Sequence, residues 1–400
     1  MNRNVPTHWK MMKFCEVAEV VTGSTPSTIR DDYFGGEIPF VTPTELKGGV
    51  PVTKTPVTLT ELGAKQVRVI PENSIMVCCI GSLGKIGIAG TRLATNQQIN
   101  SVVFDEKIVS PRYGFHYCQT LKPLLIHLAP STTVPIINKG RFQELQIPFP
   151  PLPEQKRIAA ILDKADSIRR KRQEAVRLAE ELLSSTFLDM FGDPETNPKG
   201  VKIVQLSEIT TRITDGVHQK PNYTSTGVPF ISVKDITTGA LKFDNCKFVS
   251  LEDHQMFTKR CKAEQFDILY TKVGATYGRP AIVDTDQEFS LYVSVCLIKP
   301  DRKLVDSNYL KAVLGTKAIK RQADKRIKGI GVPDLHLDQI QQILIPLPAM
   351  EEQCEFACRV AAVEKLKTSQ NEALVELNTL FNSLLQRAFK GKQLNLTRIA

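Results

Sequence analysis

The sequence predicts an α/β (α+β) protein: two copies of one globular domain, separated by an antiparallel pair of long coiled-coil helices. Three observations carry this reading. The chain is written twice, each copy reads as short strands followed by a late helix, and each copy ends in a long apolar-striped run. Its 400 residues are enough for two or three domains that each bury a core. With 24% charged residues, 23 Gly and 24 Pro, collagen-like, low-complexity and acidic-tail classes are excluded.

The repeat comes in three blocks. YFGGEIPFVTPTELK (33–47) matches YTSTGVPFISVKDIT (223–237), and SIMVCCIGSLGKIGIA (74–89) matches DILYTKVGATYGRPAI (267–282). VPIINKGRFQELQIPFPPLPEQ (134–155) matches VPDLHLDQIQQILIPLPAMEEQ (332–353). Apolar residues and glycines persist while polar residues change, the pattern of one fold carrying two different surfaces.

Within each copy, IPFV, SIMVCCI and NSVVF read as strands, as do VPFISV, DILYTKV and YVSVCLI. A helix follows in each, over 112–129 and 307–324, the second opened by Ser307 as N-cap. The exits IPFPPLPEQ and IPLPAMEEQ hold off the next helix until the Glu-Gln pair.

From Glu154 to Phe191 there is no Gly or Pro, and Ile158, Ile161, Ala165, Ile168, Ala175, Ala179 and Leu182 fall on steps of three and four. The counterpart after the second copy places Phe356, Val363, Leu366, Ala373, Leu377, Leu380 and Leu384 on one face. About 38 residues at about 1.5 Å each make a spacer of roughly 57 Å. Equal lengths and a short link predict that the two helices pair antiparallel, with the copies at opposite ends. The expected divisions are a first domain at 1–150, a helix at 151–191, a linker at 192–200, a second domain at 201–350, a helix at 351–390 and a tail at 391–400.

Catalytic and metal-binding patterns do not assemble. GSLGKIG (81–87) lacks the first Gly of a phosphate loop and has Ile86 where a Ser or Thr would hold magnesium. The histidines, His8, His116, His127, His218, His254 and His336, show no H-E-x-x-H and read as structural or surface residues. The nine cysteines are odd in number and irregularly spaced, so they read as reduced, buried small hydrophobes. MNRNVPTHWKMMKF (1–14) has no apolar core of signal-peptide length, and no run reaches the roughly 18 apolar residues that a membrane span requires. A cytoplasmic, non-enzymatic chain is expected, with no metal and no membrane partner.

The formal net charge of +10 points to a polyanion. Its densest basic stretch holds Lys311, Lys317, Lys320, Arg321, Lys325, Arg326 and Lys328 against Asp324 alone. On a helix, Lys317, Lys320, Arg321 and Lys328 would share a face able to track phosphates. Base reading needs Arg, Lys, Asn or Gln at groove edges. In the first copy the loops offer Lys85, Arg92, Asn96, Gln97, Gln98, Asn138, Lys139 and Arg141; in the second, Lys272, Tyr277, Arg279, Arg326, Lys328 and His336.

Two α/β domains, each with a P-P-L-x-E-Q-type exit into a long helix and bridged by FLDMFGDPETNPKG, resemble the specificity (S) subunit of type I restriction-modification systems. IPFPPLPEQKRIAAILDKAD is the most specific part, and the second exit differs by carrying Ala349 and Met350 in place of Pro151 and Leu152. The resemblance implies two target recognition domains that each read half of a split site in double-stranded DNA. It also implies helices that dock two modification (methyltransferase) subunits, which restriction (translocase/nuclease) subunits then join. S-adenosylmethionine, ATP and Mg2+ would belong to those partners, with no cofactor on this chain. The competing reading is a coiled-coil adaptor that binds proteins rather than specific DNA.

Overall fold

Each matched block of sequence folds into the same element in both halves. The computed structural model describes residues 6, 9–130, 134–327 and 331–390, so Lys328, His8 and the 391–400 tail lie outside the described residues. The first block forms strands Phe34–Val41 and Val228–Ile231. The second forms two antiparallel hairpins, Ile75–Cys78 with Ile86–Ala89 and Ile268–Thr271 with Pro280–Ile282. The third forms short helices Lys139–Gln143 and Leu337–Gln341, then strands Gln146–Phe149 and Leu344–Pro346. Even a backbone irregularity repeats, since Asn73 and Phe266 both enter those hairpins at positive φ, 67° and 71°.

The chain divides into two compact units, Met1–Glu174 with Asn371–Ala400, and Ala175–Gln370. In the first, a five-stranded sheet runs in the order Ala18–Thr22, Ile99–Phe104, Ile75–Cys78, Ile86–Ala89, Pro51–Val52. All neighbours are antiparallel except the last pair. In the second, the order is Thr210–Asp215, Val295–Pro300, Ile268–Thr271, Pro280–Ile282, all antiparallel. Both sheets are covered on two faces, which is why their inner strands Ile75–Cys78 and Ile268–Thr271 are buried at every position. Ile75 and Val77 face one core while Met76 and Cys78 face another. Ile268 and Tyr270 oppose Leu269 in the same way.

The late helix of each unit is two helices, not one. The first splits into Pro111–Gln119 and Lys122–Leu128, where Pro123 suits a first turn and not a helix interior. The second splits into Ser307–Leu314 and Lys317–Arg326, where the Thr316 side chain caps the new start. The N-cap is Asp306 rather than Ser307: its carboxylate accepts from the N–H groups of Asn308 (2.8 Å) and Tyr309 (3.0 Å).

The long helices span Leu152–Phe191 and Met350–Ala388, starting two residues ahead of each Glu-Gln pair. Pro153 falls in a first turn, where a missing N–H breaks no hydrogen bond. In the first unit, Ile158, Ile161 and Ala165 are buried in one core with Phe381 and Leu384, and Arg169 lies over the Phe381 ring. In the second, Lys367 pairs with Glu180 and Phe356 packs on Phe187 and Phe191, so the two helices run antiparallel there.

The expected seam drifts. Ile168, Val363, Leu377 and Leu380 are half-buried, but Leu182 and Leu366 are 50% and 51% exposed. A 3.5-residue repeat slips about 20° per heptad on an α-helix of 3.6 residues per turn. On the first helix, after three heptads from Ile158 the next position inherits the inner face, and Leu183 and Phe187 take it; on the second, Lys367 does, 11 residues or about three α-helical turns from Phe356. The cysteines are all unpaired, and Cys78, Cys79, Cys118, Cys261 and Cys296 are buried. Cys15, Cys354 and Cys358 are exposed, the latter two on the outer face of a long helix, contrary to the uniformly buried set expected. Among the described residues no helix is long and apolar enough to cross a membrane.

Candidate nucleic-acid interface

In each unit a backbone join brings two variable loops to one edge of the main sheet. In the first, Ile80 bridges Ile136, Gly81 N–H donates to Pro135 O (3.0 Å) and Ile137 N–H to Cys79 O (2.8 Å). In the second, Val273 bridges Asp334, Gly274 N–H donates to Pro333 O (2.9 Å) and Leu335 N–H to Lys272 O (2.9 Å). The turn 81–85 thereby lies beside the residues that open helix Lys139–Gln143.

Three of the predicted first-copy residues share that helix start. The Asn138 side chain accepts from Arg141 N–H (2.8 Å), Arg141 Nη1 donates to Leu128 O (3.2 Å), and Lys139 is exposed. Lys85, also exposed, donates from Nζ to Pro43 O (3.3 Å). His336 occupies the position of Asn138 in the second unit, exposed ahead of helix Leu337–Gln341, with its backbone N–H on Gln339 Oε1 (2.9 Å).

The other predicted residues divide into accessible and engaged. Asn96 is buried, donating to Gln98 Oε1 (2.9 Å) and accepting from Gln98 N–H (3.2 Å), so this pair shapes a turn and Asn96 faces no solvent. Gln97 is exposed and accepts from the Thr25 hydroxyl (2.8 Å); Arg92 is exposed and paired with Glu61 (3.1 Å). Lys272 is buried at 5% exposure between Asp215 (3.5 Å) and Asp334 (3.4 Å). Its ammonium is spent on an internal cluster, which corrects its reading as a surface contact. Burial of an ammonium is sustained only by such partners.

The basic run is less free than its sequence implies. On helix Lys317–Arg326, Ala318, Ile319 and Ala323 form the buried face. Lys320 lies over the Tyr277 ring at 3.3 Å, and both side chains engage Asp324. Arg321 pairs with Glu195, and Arg326 donates to the carbonyls of Gln322 (2.9 Å) and Gln342 (3.0 Å). Burial pulls the Lys311 ammonium below its usual pKa. Arg279 and Lys317 stand at a cavity of about 730 Å³ walled by Phe187, Phe356 and Val360 of the long helices. Arg279 Nη1 donates to Thr237 O (2.6 Å).

A group that the sequence reading passed over lies around Asp215. This buried carboxylate holds Arg260 Nη2 (2.8 Å) and His218 Nε2 (3.2 Å), both on exposed side chains. The signal was present: ITDGVH (213–218) continues the repeat upstream against VVTGST (20–25), with Asp215 opposite Thr22 ahead of a shared glycine.

The family model described as type I restriction modification DNA specificity domain matches this chain twice, over residues 6–178 and 198–378. The chain therefore belongs to that family, the non-catalytic DNA-specificity component of type I restriction enzymes. Among its relatives, the MjaIX specificity subunit of Methanocaldococcus jannaschii is 23% identical over 97% of this chain and 94% of its own length. The EcoBI specificity subunit of Escherichia coli is 25% identical over 74% of this chain and 69% of its own. The S subunit crystal structure from M. genitalium shares the fold at a TM-score of 0.57 and 16% identity, over 99% of this chain and 98% of that one.

Proposed function

We propose that this chain reads an asymmetric, two-part DNA site, one half with each unit, and carries modification subunits on its long helices. One observation supports this most: the same family model matches both halves, whose matched blocks fold into the same elements while their loop edges differ in residue type. Unlike surfaces on like folds give two unlike half-sites. The exposed Lys139 and Arg141 beside the Asn138 cap, and His336 in the second unit, are the proposed contacts at these edges. Two modification subunits would supply S-adenosylmethionine and methyl transfer; restriction subunits would supply ATP- and Mg2+-dependent cleavage.

The test is binding of the assembled complex to duplex DNA across salt concentrations. A reader loses affinity steeply with added salt yet keeps a large preference for its site over random duplex. Weak binding without sequence preference would favour the adaptor reading.

A further inference from the structure

In the second unit one buried carboxylate gathers polar groups from three stretches of chain. Asp215 ends strand Thr210–Asp215, and its side chain is 3% exposed. Its Oδ1 meets Arg260 Nη2 at 2.8 Å and His218 Nε2 at 3.2 Å, and its Oδ2 lies 3.5 Å from Lys272 Nζ. Lys272 in turn reaches Asp334 at 3.4 Å, in the loop that leads to His336. The Arg260 and His218 side chains are 59% and 60% exposed, so the cluster is buried at its base and open at its tip.

The first unit has the same backbone at this place. Thr22 and Asp215 both precede a glycine whose N–H donates to the neighbouring strand, Gly23 to Ile99 O (3.0 Å) and Gly216 to Val295 O (3.4 Å). A Cβ on either glycine would lie within 2.3 Å of backbone oxygens, those of Thr95 and Asn96 for Gly23 and that of Leu291 for Gly216, so the close approach requires glycine in both. Around it the first unit is built differently: Thr22 donates to Asn100 Oδ1 (2.7 Å), Arg68 Nη1 donates to the Thr22 carbonyl (3.0 Å), and Cys79 holds the place of Lys272. Two residues past the glycine stands Thr25, bonded to exposed Gln97, where the second unit has His218. One scaffold position thus carries different exposed polar groups in the two units.

The chemistry of the second set favours a base edge over a phosphate. Asp215 and Asp334 balance Lys272 and Arg260, so the two carboxylates offset the two cations that would otherwise attract a polyanion. The cluster fixes orientation instead. A guanidinium anchored through Nη2 keeps its other donors in a rigid fork, the geometry that pairs with the O6 and N7 of guanine in the major groove. We propose that Arg260 and His218 read a base within the half-site taken by the second unit, and that Asp215 and Lys272 are positioning residues that aim them. This rests on the DNA-reading function proposed above.

The test uses the full complex with its modification subunits and sequences methylated DNA from hosts carrying each variant. Arg260→Gln with His218→Asn changes only side chains that are more than half exposed. It is expected to make one position of one half-site degenerate and to lower methylation at the original site about tenfold, leaving the other half-site intact. Asp215→Asn leaves buried Lys272 with Asp334 alone and lowers the unfolding midpoint, but in the complex that still assembles it is expected to relax that same position and no other. An unchanged motif, or an equal loss of affinity across all sequences with a shallower salt dependence, would overturn the proposal. If the unaltered chain itself directs no motif, the DNA-reading function fails rather than this assignment.

Discussion

Gln155 and Gln353 hold the same place in the two halves, both fully buried, and each ties the start of a long helix to the start of the helix that closes its domain. Gln155 accepts from Ser110 N–H (3.0 Å) and donates to the carbonyls of Ile108 (3.0 Å) and Pro150 (2.9 Å). Gln353 accepts from Asp306 N–H (2.8 Å) and donates to those of Leu304 (3.3 Å) and Pro348 (2.9 Å). One carboxamide thereby satisfies three backbone groups at a junction where proline prevents them from satisfying one another. Gln155→Leu or Gln353→Leu is expected to cost about 2–4 kcal/mol through unpaired buried groups, read as a lowered urea midpoint. A change within about 0.5 kcal/mol would contradict that role.

Stability in acid should depend on Asp163. Burial raises its carboxyl pKa, but hydrogen bonds from His116 (2.7 Å) and Arg112 outweigh this and hold it at about 2, below the ordinary 3.8. A depressed carboxylate contributes stability that is present above its unfolded pKa and lost as pH falls through the folded value. Allowing for its part-exposed side chain, the contribution is about 1–2 kcal/mol at neutral pH. Asp163→Asn is expected to remove it and to flatten the fall in stability between about pH 5 and pH 2. Parallel pH profiles for the two proteins would refute the assignment.

The inner face of the second long helix separates two residues that a heptad count treats alike. Phe356 is buried against Phe187, Phe191 and the core, whereas Leu366 is half exposed. Phe356→Ala is expected to destabilise by about 3–5 kcal/mol and Leu366→Ala by under about 0.5 kcal/mol. Equal losses in chemical unfolding would restore the unshifted heptad.

If the paired helices set the distance between half-sites, lengthening both by seven residues adds roughly 10 Å, about three base pairs. The methylated motif of such a variant is expected to keep both half-site sequences and widen only its gap. An altered half-site at constant gap would argue against the helices as the spacing element.

Much of this was legible in the sequence, and the failures have physical causes. The repeat was visible because strands buried on both faces tolerate few changes of residue class, so Ile75–Val77 and Ile268–Tyr270 both stayed hydrophobic. The long helices were visible from what they lack. Leu182 and Leu366 were misplaced because a small angular slip per heptad accumulates over a long helix. Lys272 was read as a surface group because residue type does not reveal a partner far away in sequence, Asp215 lying 57 positions from it; Asn96 was so read because its type does not show that its side chain turns in on Gln98, two residues on. Asp215 itself went unnoticed because ITDGVH lies upstream of the three matched blocks, and a lone acidic residue shows no role until the fold places three side chains around it.

The most direct measurement is methylation sequencing of a genome in hosts that carry the modification subunit with and without this chain. The account predicts a split, asymmetric motif with a fixed gap that appears only when the chain is present. A stable complex of the two proteins that yields no such motif, or the same motif without this chain, would contradict it.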